Sequence, residues 1–137
     1  MIQGAVMNYW MVKQEPTKYN WDQLVADKET VWDGVRNYQA RNNLKAMKKG
    51  DLLFFYHSVI GKAVIGIAKV SKESYPDPTS SDPCWLAVTI KPMRKLNRSV
   101  FLEDIKNHTQ LKNISLIRQS RLSVLPLTSA EFNAILE

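Results

Sequence analysis

With 137 residues, a single cysteine and a net charge of +6, the chain is sized for one domain with its own core. One cysteine can close no internal disulfide and build no cysteine-based zinc site, so Cys84 is read as a packing residue. No apolar run approaches the ~20 residues of a spanning helix, and the start lacks the basic and long apolar segments of a signal peptide. The expectation is an intracellular protein without membrane attachment, cytoplasmic in a bacterium or nuclear in a eukaryote.

The charge is unevenly placed. Residues 32–49 hold five basic and one acidic side chain, and residues 91–121 hold eight and two. If the fold joins these blocks they form one basic face, the footprint of a nucleic-acid binder; otherwise the lysines are a dispersed, solvated surface.

Residues 1–6 have little pattern and precede a second methionine, Met7. They are read as an arm or alternative start, with the domain over 7–137. Asn8 to Val12 is rich in strand formers and reads as the first strand, ended by Lys13-Gln14-Glu15-Pro16. Asn20 followed three residues later by Gln23 is a capping-box spacing, which predicts a short helix to about Asp27. The stretch Trp32 to Asn42 packs arginines, asparagines and aromatics around Gly34 and reads as a polar loop. A helix from about Arg36 to Met47 follows it and stops at Gly50.

Leu52 to His57 is a buried strand on its apolar run, and Gly61-Lys62 turns the chain into Ala63 to Val70 as a hairpin. Gly66 inside that strand marks a bulge or a close backbone approach and suits a tightly curved barrel. Tyr75 to Pro83, with three prolines, is a stiff loop. Trp85 to Ile90 is a further strand, Phe101 to Asn107 a short helix, and Ser120 to Val124 the last strand. Thr128 and Glu131 repeat the capping-box spacing before a final helix. This order is not a repeating βαβ alternation; a mixed α+β domain with a small, strongly curved sheet fits it.

Little in the chain is arranged for catalysis. There is no glycine-rich phosphate loop and no HExxH, and two histidines are too few for a histidine-rich metal site. His57 and Ser58 are neighbours, but adjacent strand residues point to opposite faces, which argues against a nucleophile pair. Glu15 and Asp33 are the candidates for an acid/base pair.

Binding has more support. A base lifted out of a strand needs a flat surface to stack on, a snug pocket, and donors and acceptors for its edge. Trp32 is a candidate wall or else core, and the turn at Gly34 lets backbone amides approach a ligand. Arg36, Arg41 and Arg121 are candidate phosphate contacts or else structural ion pairs. Trp10 and Trp85, in apolar strands, are read as core.

The runs Tyr9-Trp10, Lys13-Gln14-Glu15-Pro16, Trp32 to Asn43, Phe55-Tyr56-His57-Ser58, Gly66-Ile67-Ala68, Tyr75-Pro76-Asp77-Pro78-Thr79 and Ser120-Arg121-Leu122-Ser123-Val124 resemble EVE domains. These belong to the PUA-like superfamily and are related to the YTH readers of methylated adenine. The resemblance implies an α+β fold, a PUA-like mixed β-barrel of about six strands with short flanking helices. It implies a non-catalytic reader of a modified base, modified cytosine or methylated adenine, in DNA or RNA, with no cofactor or metal.

By the family pattern the base pocket comprises Lys13, Gln14, Trp32, Asp33 and Gly34, with Asn37 and Tyr38 nearby and Ser120 and Leu122 beside it. Gln14 stands where the family motif usually has serine. The alternatives are an enzyme acting on nucleic acid, a glycosylase or nuclease using Glu15 or Asp33, and a binder of a small nucleobase-like metabolite.

Overall fold

Two apolar segments, each too short for an independent helix, form the centre of the fold. Tyr9–Gln14 (β1) and Leu52–His57 (β3) lie side by side in parallel, with Trp10 opposite Leu53 and Gln14 opposite His57. The computed structural model describes residues 8–136, so the expected arm at residues 1–6 lies outside the described residues. The other strands are Thr30–Trp32 (β2), Ala63–Pro76 (β4), Leu86–Phe101 (β5) and Val124–Leu127 (β6). They make one six-stranded mixed sheet in the order β2-β5-β4-β3-β1-β6.

This sheet is open, which corrects the expected β-barrel. Its edge strands, β2 and β6, are three and four residues long and pair only with β5 and β1. Pro126 also removes a ladder donor from β6. Helix α2 (Tyr38–Ala46) packs against β4, β5 and β6, with Ala40 and Leu44 fully buried. Side chains, not a strand ladder, thus fill the space beside the sheet.

The short helices follow their capping signals. Helix α1 (Trp21–Asp27) begins with a reciprocal box: Gln23 N–H donates to Asn20 Oδ1, and Asn20 N–H to Gln23 Oε1, both at 2.8 Å. Thr128 and Glu131 make the same exchange before the terminal helix, Ser129–Leu136. Helix α2 starts two residues later than expected because Asn37 is its cap, accepting from Ala40 N–H at 2.9 Å. Between β5 and β6 lie the helices Leu102–Lys106 (α3) and Ser115–Arg118 (α4), with a 3-10 turn at Thr109–Leu111.

Strands β4 and β5 run well past Val70 and Ile90, where the apolar pattern ends. Each polar continuation pairs with the apolar start of the other strand, Lys72 with Thr89 and Arg94 with Ile67, so the ladder satisfies their backbones although they carry no apolar face of their own. Ser120 to Ser123 is loop, and the last strand begins only at Val124. No helix among the described residues is long and apolar enough to cross a membrane.

Gly66 marks a ladder irregularity and a close approach, but the approaching group is a side chain rather than backbone, and the curved barrel it suggested does not form. A register shift falls between Val64 and Gly66, and a Cβ at Gly66 would lie 2.6 Å from the Trp21 ring. Trp21 is 3% exposed and packs edge-on against Phe55 at 5.7 Å, so its ring has little room to move. Gly66→Ala is expected to destabilise the protein by roughly 1–3 kcal/mol through overpacking, measured as a lower denaturant midpoint at unchanged slope.

Candidate functional site

Because β1 and β3 are parallel, their C-terminal ends open at the same edge of the sheet, Lys13 opposite Tyr56 and Gln14 opposite His57. A cavity of about 570 Å³ lies there. Lys13, Gln14 and Glu15 form one side, and Tyr56, Ser58, Val59 and Lys62 another. Leu102 and Leu116 supply an apolar patch, and Ser120, Arg121 and Ser123 close the rim. The volume is in the range of small-molecule sites, which combine apolar walls with a few placed polar groups.

Two backbone bonds hold the ends in place: Lys13 N–H to the Ser123 carbonyl at 2.9 Å, and Ser58 N–H to the Gln14 carbonyl at 3.0 Å. The Lys13 ammonium donates to the Ser120 carbonyl at 2.7 Å and sits 6.0 Å from the Tyr56 ring centroid. Burial pulls its pKa below the ordinary lysine value, and among the described residues no carboxylate pairs with it. Gln14 Oε1 accepts from Glu15 N–H at 3.0 Å, which leaves its amide NH₂ to donate elsewhere. Glu15 pairs with exposed Lys18 at 3.2 Å. Burial pushes the Tyr56 hydroxyl up to about 12, so it stays protonated. At the rim, Val59 has φ +70°, a left-handed conformation that a β-branched residue seldom adopts.

His57 and Ser58 do not form a nucleophile pair. His57 Nε2 accepts from Trp21 N–H at 3.2 Å, and burial lowers its pKa. The imidazole is thereby committed as a neutral acceptor at the start of α1, while Ser58 lines the cavity. Among the described residues no three His, Cys, Asp or Glu side chains gather where a metal could be held.

The polar turn after β2 is ordered by one buried carboxylate. Asp77, 1% exposed, accepts from Gly34 N–H at 2.8 Å, Arg36 Nη1 at 2.9 Å, and the Thr79 N–H and hydroxyl at 2.7 and 2.6 Å. Burial alone would raise its pKa. The hydrogen bonds from Thr79, Arg36 and Gly34 together outweigh that and hold the carboxyl well below its usual range. Gly34 needs its φ of +78° to make this turn.

The expected site residues therefore divide. Lys13, Gln14, Ser120 and Arg121 meet around the cavity. Asn37 and Leu122 line an adjoining groove with Gln39 and Gln119, which shares Ser120 and Arg121 with the cavity. Trp32, 6% exposed, is packed edge-on against Phe55 at 5.6 Å and Tyr19 at 6.4 Å, and lines neither space. Asp33 and Gly34 are exposed in the turn, and burial followed by repulsion from Asp77 raises the Asp33 pKa. Tyr38 is exposed and stacks on Trp85, which is only partly buried and precedes β5.

Arg36 is held by Asp77 and Thr79, and Arg41 by Asn42 and the Cys84 carbonyl. Arg121 has no ion-pair partner among the described residues. Of the second basic block only Arg121 reaches the groove beside Asn37, whereas Arg94 and Arg98 line a separate cleft with Ile135 and Leu136. None of Tyr56, Ser58, Val59, Lys62, Leu102 and Leu116 is placed in the site by the sequence, whereas Ser123 belongs to the Ser120-Arg121-Leu122-Ser123 run that the resemblance puts beside it. The run Phe55 to Ser58 was a signal, but its position beside Lys13 depends on a parallel pairing that spacing does not reveal.

The profile of the EVE domain matches residues 8–137. The chain belongs to the EVE domain family. Thymocyte nuclear protein 1 of mouse is 39% identical, over 94% of this EVE domain chain and 72% of the relative. A crystal structure of a protein from Agrobacterium tumefaciens superposes with a TM-score of 0.92 at 43% identity, covering 94% of this chain and 90% of the other. The human THYN1 protein, solved in complex with 5-methylcytosine-containing DNA, superposes with a TM-score of 0.88 at 36% identity, covering 94% and 95%.

Asp77 gives the turn an acid-sensitive anchor. A carboxyl whose folded pKa is depressed stabilises the fold above the unfolded value of about 3.9, and that stabilisation is lost as pH falls through and below it. Asp77→Ala is expected to cost roughly 2–4 kcal/mol at neutral pH, since it also strands buried donors. The gap from the wild type should shrink below about pH 4 when both are unfolded by urea.

Proposed function

We propose that this EVE domain is a non-catalytic reader that takes a modified cytosine, lifted out of a nucleic-acid strand, into the cavity at the ends of β1 and β3. The observation that carries the reading is the match, over nearly the whole of both chains, to a human protein solved with 5-methylcytosine-containing DNA. The cavity supports it through its chemistry. Cytosine offers an exocyclic amine that donates, and ring N3 and O2 that accept. The Glu15 carboxylate is an acceptor suited to the amine, and the Gln14 NH₂ and Lys13 ammonium are donors suited to N3 and O2. Leu102, Leu116 and Val59 give a 5-methyl group apolar surface in place of water.

Arg121, which has no ion-pair partner among the described residues and is shared between cavity and groove, meets the phosphate backbone of the same strand in this reading. Trp32 acts in this reading as the packed support of the turn, so its truncation would report on folding as much as on binding.

The test is binding of wild type, Glu15→Gln and Arg121→Ala to matched oligonucleotides with cytosine or 5-methylcytosine at the centre, at two salt concentrations. Wild type should prefer the methylated base. Glu15→Gln should lose about tenfold for it, in line with roughly 1–3 kcal/mol for a base-edge contact. Arg121→Ala should weaken binding to both bases alike and reduce the salt slope by about one phosphate contact. Equal binding of wild type to both bases at every salt would refute the reader assignment.

A further inference from the structure

Outside the cavity, the most exposed large aromatic is Tyr38, with 62% of its surface open. It is the first residue of α2, yet it is not loose: its ring stacks on Trp85 with centroids 4.9 Å apart and planes 29° from parallel. Two guanidiniums flank the pair. Arg36, fixed by Asp77, lies 5.8 Å from the Trp85 ring, and Arg41 lies 5.2 Å from the Tyr38 ring. Arg41 also donates to the Cys84 carbonyl, next to Trp85. Even with Trp85 and Arg41 against it, Tyr38 keeps most of its surface open to solvent.

An aromatic held by a neighbour and rimmed by cations is prepaid in ordering cost, which is the condition for stacking a flat ligand tightly. The chain then leads from this stack to the cavity. Asn37, adjacent to Tyr38, lines the groove with Gln39, Gln119 and Leu122, and the groove shares Ser120 and Arg121 with the cavity. The order is flat face, polar groove, Arg121 and cavity.

We propose that the Tyr38–Trp85 stack is a platform for an unpaired nucleobase neighbouring, on the same strand, the modified base held in the cavity. The proposal rests on the reader assignment for its direction and adds a second, sequence-tolerant base site to it. The platform selects any nucleobase through its π-face, while the groove and Arg121 carry the sugar and phosphate between the two sites.

Length dependence tests it. Wild type, Tyr38→Ala and Tyr38→Trp are titrated with single-stranded DNA of about nine nucleotides centred on 5-methylcytosine or cytosine, and with the mononucleotide of each as a short form that carries no neighbouring base. Tyr38→Ala should weaken binding of the longer strand about tenfold and of the short one by less than about twofold, whereas Tyr38→Trp should keep the long-strand affinity. Circular dichroism and the melting midpoint of each variant check the fold. Equal loss on both lengths, or no loss on the longer one, overturns the platform. The wild type's preference for methylated over plain cytosine is read separately. If that preference is absent while the length-dependent loss persists, the cavity reading fails and the platform stands.

Discussion

The parallel pairing of β1 with β3 is the constraint on which the site depends. In an antiparallel arrangement the Lys13-Gln14-Glu15 and Tyr56-His57-Ser58 ends would lie at opposite edges of the sheet. In parallel they open side by side, and the backbone bond from Ser58 N–H to the Gln14 carbonyl locks them at that spacing. The parallel connection is long enough to carry α1, β2 and α2, and it is this connection that brings in the Trp32 turn and the Asn37 cap. The C-terminal segment then closes the third side, as Ser123 accepts from Lys13 N–H and Ser120 from its ammonium.

A second buried group organises what the pairing does not reach. Asp77 sits after the long β4 strand, far along the chain from Gly34 and Arg36, yet gathers both with Thr79 around one carboxylate. Its desolvation is offset by charge-assisted and backbone hydrogen bonds, the condition under which a buried carboxylate is tolerated. The same contact fixes Arg36 near Trp85, and through Trp85 orders the exposed Tyr38 ring. Asp51 has a parallel role at the other end of β1, where it accepts from Trp10 Nε1 at 3.0 Å and from Lys48 N–H at 2.9 Å.

Much of this is legible in the sequence. The capping boxes at Asn20 and Thr128, the Leu52 to His57 strand and the close approach at Gly66 follow from local rules, and the structure has them. The lengths of β4 and β5 are not legible, because the polar end of each pairs with the apolar start of the other and has no apolar signature of its own. Strand β2 was missed for a related reason: three residues leading into a polar turn read as part of that turn. Closure into a barrel was inferred from family resemblance, and the edges at β2 and β6 correct it. In the site, Trp32 reads from the sequence as either wall or core; the tight edge-on contact with Phe55 makes it core in this conformation. The pairings of Arg36 with Asp77 and of Tyr38 with Trp85 join residues some forty positions apart, beyond any local pattern.

The central claim is that a modified cytosine is held between the ends of β1 and β3, and amide chemical-shift mapping tests it most directly. In a titration of the ¹⁵N-labelled protein with a 5-methylcytosine oligonucleotide, the largest perturbations should fall on Lys13 to Glu15, Ser58 to Lys62 and Ser120 to Ser123. They should be larger than with the unmethylated strand. Perturbations confined to the Lys91 to Arg98 arm of β5, and identical for both strands, would show nonspecific attraction to a basic surface and contradict the account.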